Sequence, residues 1–265
     1  MLANRNEADR KDALESLPEG LTPTYQTEMK RLKDKGKVDY KIAKRAMSWV
    51  YWAKRPLYMA ELREAIAVNP IIDVENAPED YRELDCKRLT DGDMIVQCCG
   101  SLIVWERSTD VVGFSHYTVT EFFKTNVDGN IEPEIYVTRT CLTYLAFDKF
   151  DSPCPNEESI VKRVQKYNLS RYAAQYWGPH TREAENEPDI RHAVLSLLAS
   201  ENKRDSMLQL ETYANSSWGD ISFTKGQTLL HVIAKNGLAT ICKRVLSRRI
   251  NGNDTYVFEV DIQVN

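Results

Sequence analysis

Apolar residues recur at helical spacing along most of this chain. In residues 38–54, VDYKIAKRAMSWVYWAK, they fall at Ile42, Ala46, Trp49, Val50 and Ala53, one face of a helix that Pro56 ends. A shorter helix is predicted from Tyr25 to Leu32. Another, MAELREAIAV, sets Leu62, Ala65 and Ile66 on one side. Residues 69–90 read as loop, with Pro70, Pro78 and a run of charges. DGDMIVQCCG then predicts a short helix closed by Gly100. The one β signal follows. SLIVWER (101–107) and DVVGFSH (110–116) are rich in β-branched and aromatic residues, and a two-residue linker joins them as a hairpin. TVTEFFK returns to helix. Three helices, a hairpin and a closing helix make a winged-helix pattern.

From 126 to 215 the pattern is helical throughout. VTRTCLTYLAF, SIVKRVQ, LSRYAAQYW, IRHAVLSLLA and SMLQLETYA predict five helices, and the charged HTREAENEPD (180–189) reads as a solvated loop. The expected fold is mainly α. It comprises a polar lead-in (1–15), a winged-helix module with a small hairpin (16–125), a helical connector (126–215) and a C-terminal helix pair (216–265).

Composition narrows the function. The net charge of −4 argues against a general nucleic-acid binder, whose domain is normally basic. No stretch approaches the roughly 18 apolar residues of a membrane span, and the polar MLANRNEADRKDALE lacks the apolar core of a signal peptide, so an intracellular, cytoplasmic protein is expected. None of the six cysteines forms a C-x-x-C pair, and Cys98 and Cys99 read as buried free thiols. The sequons at Asn168, Asn215 and Asn253 carry little weight without a secretory signal.

Catalytic motifs are absent. Neither DKGKVD nor FTKGQT supplies the phosphate-cradling loop G-x-x-x-x-G-K-[ST]. GFSHY (113–117) lacks the final glycine of a nucleophile elbow, and Ser115 reads as a strand serine. No metal motif occurs. No catalytic residue, cofactor or metal is therefore expected. The helix before the hairpin, where a DNA reader would sit, is acidic and then apolar, with Gln97 as its one base-reading candidate. His180 and His192 read as structural or exposed, and His116 ends the second strand.

Three stretches together resemble the region that follows the NTPase in fungal NACHT-type proteins with ankyrin repeats. The first matches at Trp49, Ala53, Arg55, Pro56, Leu57, Glu61, Leu62 and Ala65. The second matches at Cys99, Gly100, Leu102, Val104, His116, Val119, Glu121 and Phe123, with Thr118 in place of a serine and Phe122 in place of a tyrosine. The third, NLSRYAAQYWGPH, matches at Tyr172, Ala173, Ala174, Tyr176, Trp177 and His180. This winged helix also carries the label of the GPI inositol-deacylases, which does not imply deacylase chemistry. GQTLLHVIAKN (226–236) opens a segment similar to an ankyrin repeat, matched by Gly226, Thr228, Leu230, His231, Ala234 and Gly237, with Leu229 replacing the usual proline and Ile233 an alanine.

The resemblance implies a non-catalytic regulatory segment in signal transduction, with protein partners on an ankyrin-type surface. It implies that an NTPase domain, in cis or in trans, would use His116 as a nucleotide-sensing residue. It also implies that the chain begins after the NTPase and stops as the array starts. The repeat should then dock on the connector near Leu208, Leu210 and Tyr213. Its other flank, with Ile241, Val245 and Leu246, should be poorly covered and favour self-association.

Overall fold

The computed structural model describes residues 21–70, 82–216 and 221–250, the last three without side chains. The polar lead-in and the end of the chain past Ile250 lie outside the described residues, as does most of the loop predicted after residue 69. Among the described residues are twelve α-helices and one three-stranded sheet. The first part comprises α1 (Leu21–Asp34), α2 (Lys37–Trp52), β1 (Leu57–Tyr58), α3 (Met59–Ala67), α4 (Gly92–Cys99), β2 (Ile103–Glu106), β3 (Val111–Phe114) and α5 (Tyr117–Thr125). The second comprises α6 (Glu134–Leu145), α7 (Glu157–Lys166), α8 (Ser170–Ala184), α9 (Pro188–Leu197), α10 (Glu201–Asn215), α11 (Leu229–Lys235) and α12 (Ala239–Ile250). Single 3-10 turns stand at Cys86–Arg88 and Asp148–Phe150.

The predicted hairpin is present, with Trp105 opposite Val112. Its turn is held by local bonds. Trp105 Nε1 donates to Asp110, and Glu106 accepts from the Ser108 amide and hydroxyl. The sequence pattern misses β1. Two residues after a proline are too short to show alternation, yet Leu57 pairs with Val112 and Tyr58 with Val111, making β3 the central strand. Gly100 closes α4 at φ 62°, in the left-handed region that favours glycine.

The core runs unbroken from α1 to α12. The buried stripe of α2 is Ala43, Ala46, Met47 and Trp49, while the predicted Ile42, Val50 and Ala53 are half-buried. The predicted face of α3 is buried, but so are Glu61 and Glu64. Among the described residues, the buried atoms Trp49 Nε1, Tyr136 Oη and Thr181 Oγ1 make no hydrogen bond. Removing a hydroxyl that makes no bond costs little, so Tyr136→Phe should change unfolding free energy by less than about 0.5 kcal/mol in urea titration.

One segment differs from its sequence reading. Residues 180–184, expected in a solvated loop, are the last turn of α8, and His180 and Thr181 are fully buried. The apolar face that begins at Tyr172 continues through Trp177 to Ala184, while Arg182 and Glu183 point to water. Their charges obscured the period. Pro179 also stands inside the helix, where proline is uncommon.

The two C-terminal helices form as expected. Thr228 caps α11 in a reciprocal pair with His231, and Gly237 turns the chain at φ 68°. Gly226 donates its amide to Asp205, Leu230 is half-buried and Ala234 exposed. The expectation of a poorly covered flank is wrong for two of its three residues. Ile241 and Val245 are buried, at 0% and 5% exposure, and Leu246 alone stands out, at 43%. The pair is tied to the ends of both α8 and α10. Glu185, at the end of α8, accepts from the amide and hydroxyl of Thr240, and Asn236 lies on Gly178. On the α10 side Glu211 pairs with Lys235, and Arg204 donates to the Gln227 carbonyl. A Cβ at position 178 would fall on the Asn236 side-chain oxygen and within 2.9 Å of its Cβ. Gly178→Ala should therefore cost about 2 kcal/mol. Hydrogen exchange should show faster opening of α11 and α12 than of α2.

Candidate functional site

A cleft of about 420 Å3 opens where the end of α2 meets β3 and α5, walled by Lys54, Arg55, Pro56, Phe114, His116 and Tyr117. His116 reaches it through local chemistry. It is the N-cap of α5, and its Nδ1 accepts from the Thr118 amide at 3.3 Å. The Thr118 hydroxyl lies 2.8 Å from the same nitrogen and 2.6 Å from the Tyr25 hydroxyl. A chain Tyr25 Oη–H to Thr118 Oγ1–H to Nδ1 satisfies all three groups. The imidazole proton then sits on Nε2, leaving that N–H as a donor on the exposed side of the ring. Ser115 lies past the end of β3, not within the strand as expected, and the Nδ1 of its histidine neighbour is already engaged by Thr118.

The cations of the cleft wall are already paired. Arg55 makes two bonds to Glu61, at 2.6 and 2.8 Å, and stacks near the rings of Tyr58, Tyr172 and Tyr176. Lys54 Nζ is 2.7 Å from Glu134. Neutralised in this way, the wall presents aromatic and hydrogen-bonding surface more than net charge. The outer face of the sheet continues it with Tyr58 and Val104, each about half exposed.

Beneath the wall lies a closed ring of hydrogen bonds. The Lys54 amide donates to Tyr172 Oη at 2.9 Å. Tyr172 Oη is 2.9 Å from His180 Nε2, and His180 Nδ1 is 3.2 Å from Glu134 Oε1. Lys54 Nζ reaches the same carboxylate oxygen and closes the ring. Tyr172 accepts from Lys54, so its proton goes to Nε2, and Nδ1–H must donate to Glu134. Burial pulls the His180 pKa below the usual histidine value, with the Glu134 hydrogen bond opposing it. Burial works against the Glu134 carboxylate, but bonds from His180 and Lys54 outweigh it and hold its pKa low.

A second polar knot joins the same two halves. Glu64 of α3 accepts from the Tyr144 hydroxyl at 2.5 Å, from the Asn168 amide and side chain, and from the Leu169 amide. A third uses Glu132, whose amide donates to the Ser48 hydroxyl and whose carbonyl accepts from Trp52. The helices after residue 126 are thus fastened to the first half by buried, directional bonds.

The family described as GPI inositol-deacylase, winged helix domain, matches residues 29–138. Those residues form a winged-helix domain similar to that family's. No curated protein and no solved structure matches the chain. The winged helix contributes His116, Lys54, Arg55 and Glu134, while Tyr172 and His180 come from outside the matched span.

Sequence reasoning placed His116 near its observed position but assigned His180 no interactions, and it missed the ring altogether. The signal was present in the spacing of Tyr172, Tyr176 and His180, each four residues apart and so on one helical face. The motif residues of the C-terminal pair lie apart from the cleft, in the turn before α11 and along α11 itself. Cys98 and Cys99 are buried free thiols, as expected, and burial pushes the Cys99 thiol far above its usual range. No described helix is long and apolar enough to cross a membrane.

Proposed function

We propose that this chain is a non-catalytic regulatory and protein-interaction segment, similar to the winged-helix and ankyrin part of a fungal NACHT-type signalling protein. In this reading α11 and α12 are an ankyrin-type unit stacked on the connector. The His116 cleft is the face presented to an NTPase domain, in cis or in trans. The observation that carries the reading is the placement of His116, whose Nδ1 faces the Thr118 amide and hydroxyl. A donor is set in place by Thr118 and Tyr25 and left unused in an open cleft, above a wall whose charges are already satisfied. Such a site suits the recognition of a surface better than chemistry on a small molecule.

The opposite face, α4, suits duplex DNA poorly. Its exposed residues are Asp91, Asp93, Met94 and Gln97, and Asp93 is paired with Arg107. A phosphate backbone calls for several unpaired cations.

Two experiments test the proposal. Calorimetry of the full chain with magnesium ATP or GTP should show no binding, and micromolar affinity or turnover would contradict it. A photo-crosslinking residue at Tyr117, on the cleft rim, should give protein adducts in cells that His116→Ala removes. Equal adducts from a probe at the distant Lys87 would contradict a cleft-specific partner.

A further inference from the structure

The ring of Lys54, Tyr172, His180 and Glu134 ties up five polar groups, two of them from Lys54, at the junction beneath the cleft. Its position gives it a consequence. Lys54 belongs to both the ring and the cleft wall, and the neighbouring Arg55 lies over Tyr172 at 5.1 Å. Anything that alters the ring therefore acts directly on the backbone of that wall.

We propose that Tyr172 and His180 are positioning residues for the His116 cleft, holding the Lys54–Arg55 wall in place while His180 is neutral and releasing it when His180 is protonated. The proposal rests on the reading of that cleft as an interaction face. With the Tyr172 hydroxyl donating to Nε2, the ring holds His180 in its neutral form. A proton on His180 Nε2 would meet the Tyr172 hydroxyl proton head-on. Tyr172 would have to turn its own hydrogen elsewhere, and its oxygen already accepts from the Lys54 amide. The groups around His180 offer little alternative. Glu134 and Thr138 face it from α6, Lys54 and Arg55 from the end of α2, and Tyr172 and Tyr176 from its own helix, with Cys141 behind Tyr172. Only Tyr172 meets Nε2.

Linkage sets the direction. His180 is held below the usual histidine value, so below about pH 6.5 the unfolded chain binds a proton that the native chain refuses. Stability therefore falls as pH drops from about 6.5 toward the native value of His180. The lowered carboxyl of Glu134 adds its own loss below the usual glutamate range.

The test is an NMR titration of the full chain labelled with 15N, without any partner, so that it stands or fails independently of what the cleft binds. At pH 7 His180 should show a protonated Nδ1 and a bare Nε2. On acidification the Lys54 and Arg55 amides should shift with the His180 midpoint, and Lys54 amide protection should fall about tenfold once intrinsic exchange is corrected. In Tyr172→Phe, which keeps the ring packed on Trp49, the Lys54 amide should no longer follow His180. His180→Gln should abolish the midpoint at Lys54. Lys54 and Arg55 amides that ignore the His180 midpoint in the native chain would overturn the proposal, even if neither variant folds.

Discussion

Glu64→Ala should destabilise the protein by about 4 kcal/mol, a large part of the roughly 5–15 kcal/mol that keeps an ordinary domain folded. Glu64 is 3% exposed and receives four donors. Its removal leaves the amide of Leu169 and the buried hydroxyl of Tyr144 without an acceptor, each worth about 1–3 kcal/mol when orphaned. The amide variant separates charge from hydrogen bonding. In Glu64→Gln the oxygen can still serve the Asn168 amide and side chain. Its NH2 then faces Tyr144, which can rotate to accept, and Leu169 N–H, which cannot. Glu64→Gln should therefore cost about one unmade bond, roughly 2 kcal/mol. Urea titration of the three proteins, followed by tryptophan fluorescence, checks both values. An alanine variant no weaker than the glutamine variant would contradict this account of the knot.

Tyr172→Ala should cost about 4–5 kcal/mol. The ring of Tyr172 is fully buried, edge-on to Trp49 at 5.6 Å and tilted against Tyr176. Alanine would leave a cavity and would also strip partners from the Lys54 amide and His180 Nε2. Tyr172→Phe keeps the packing and loses only the hydroxyl, so its cost should be about 1–2 kcal/mol. The difference between the two variants measures packing, and the phenylalanine cost measures the hydrogen-bond ring. If phenylalanine is as damaging as alanine, the hydroxyl matters more than the packing, and assigning the larger share to packing is wrong.

The two residues also mark where sequence reading ends. Amphipathic period revealed α2 and α3, the closing Gly100 marked α4, and β-branched runs revealed the hairpin, because each of those signals is local. The strand β1 was not legible, since Leu57 and Tyr58 become a strand only by lying against β3. Nor was the end of α8, whose charged residues share turns with a buried His180. Burial of Glu64 and Glu61 inside α3 contradicts what composition suggests for glutamate. Their partners lie far along the chain or in the arginine just before it, and pairing of that kind has no one-dimensional signature. His116 was legible as a candidate residue. The hydrogen bonds behind it were not, because Tyr25 is ninety-three positions from Thr118. The flank of α12 shows the opposite error. Ile241 and Val245 were read as a surface lacking a neighbour, whereas both are buried, and Glu185 past the end of α8 holds the start of α12 through Thr240.

One continuous core makes the winged helix and the helices after it a single body, so that residues of α8 set a wall of the cleft. Hydrogen exchange of the full chain across a urea series tests this most directly. The account predicts that the most protected amides of α2, α4, α6 and α8 lose protection together, with one midpoint and one slope. Loss of protection in α6 and α8 at a lower urea concentration than in α2 and α4 would show two separate bodies and contradict it.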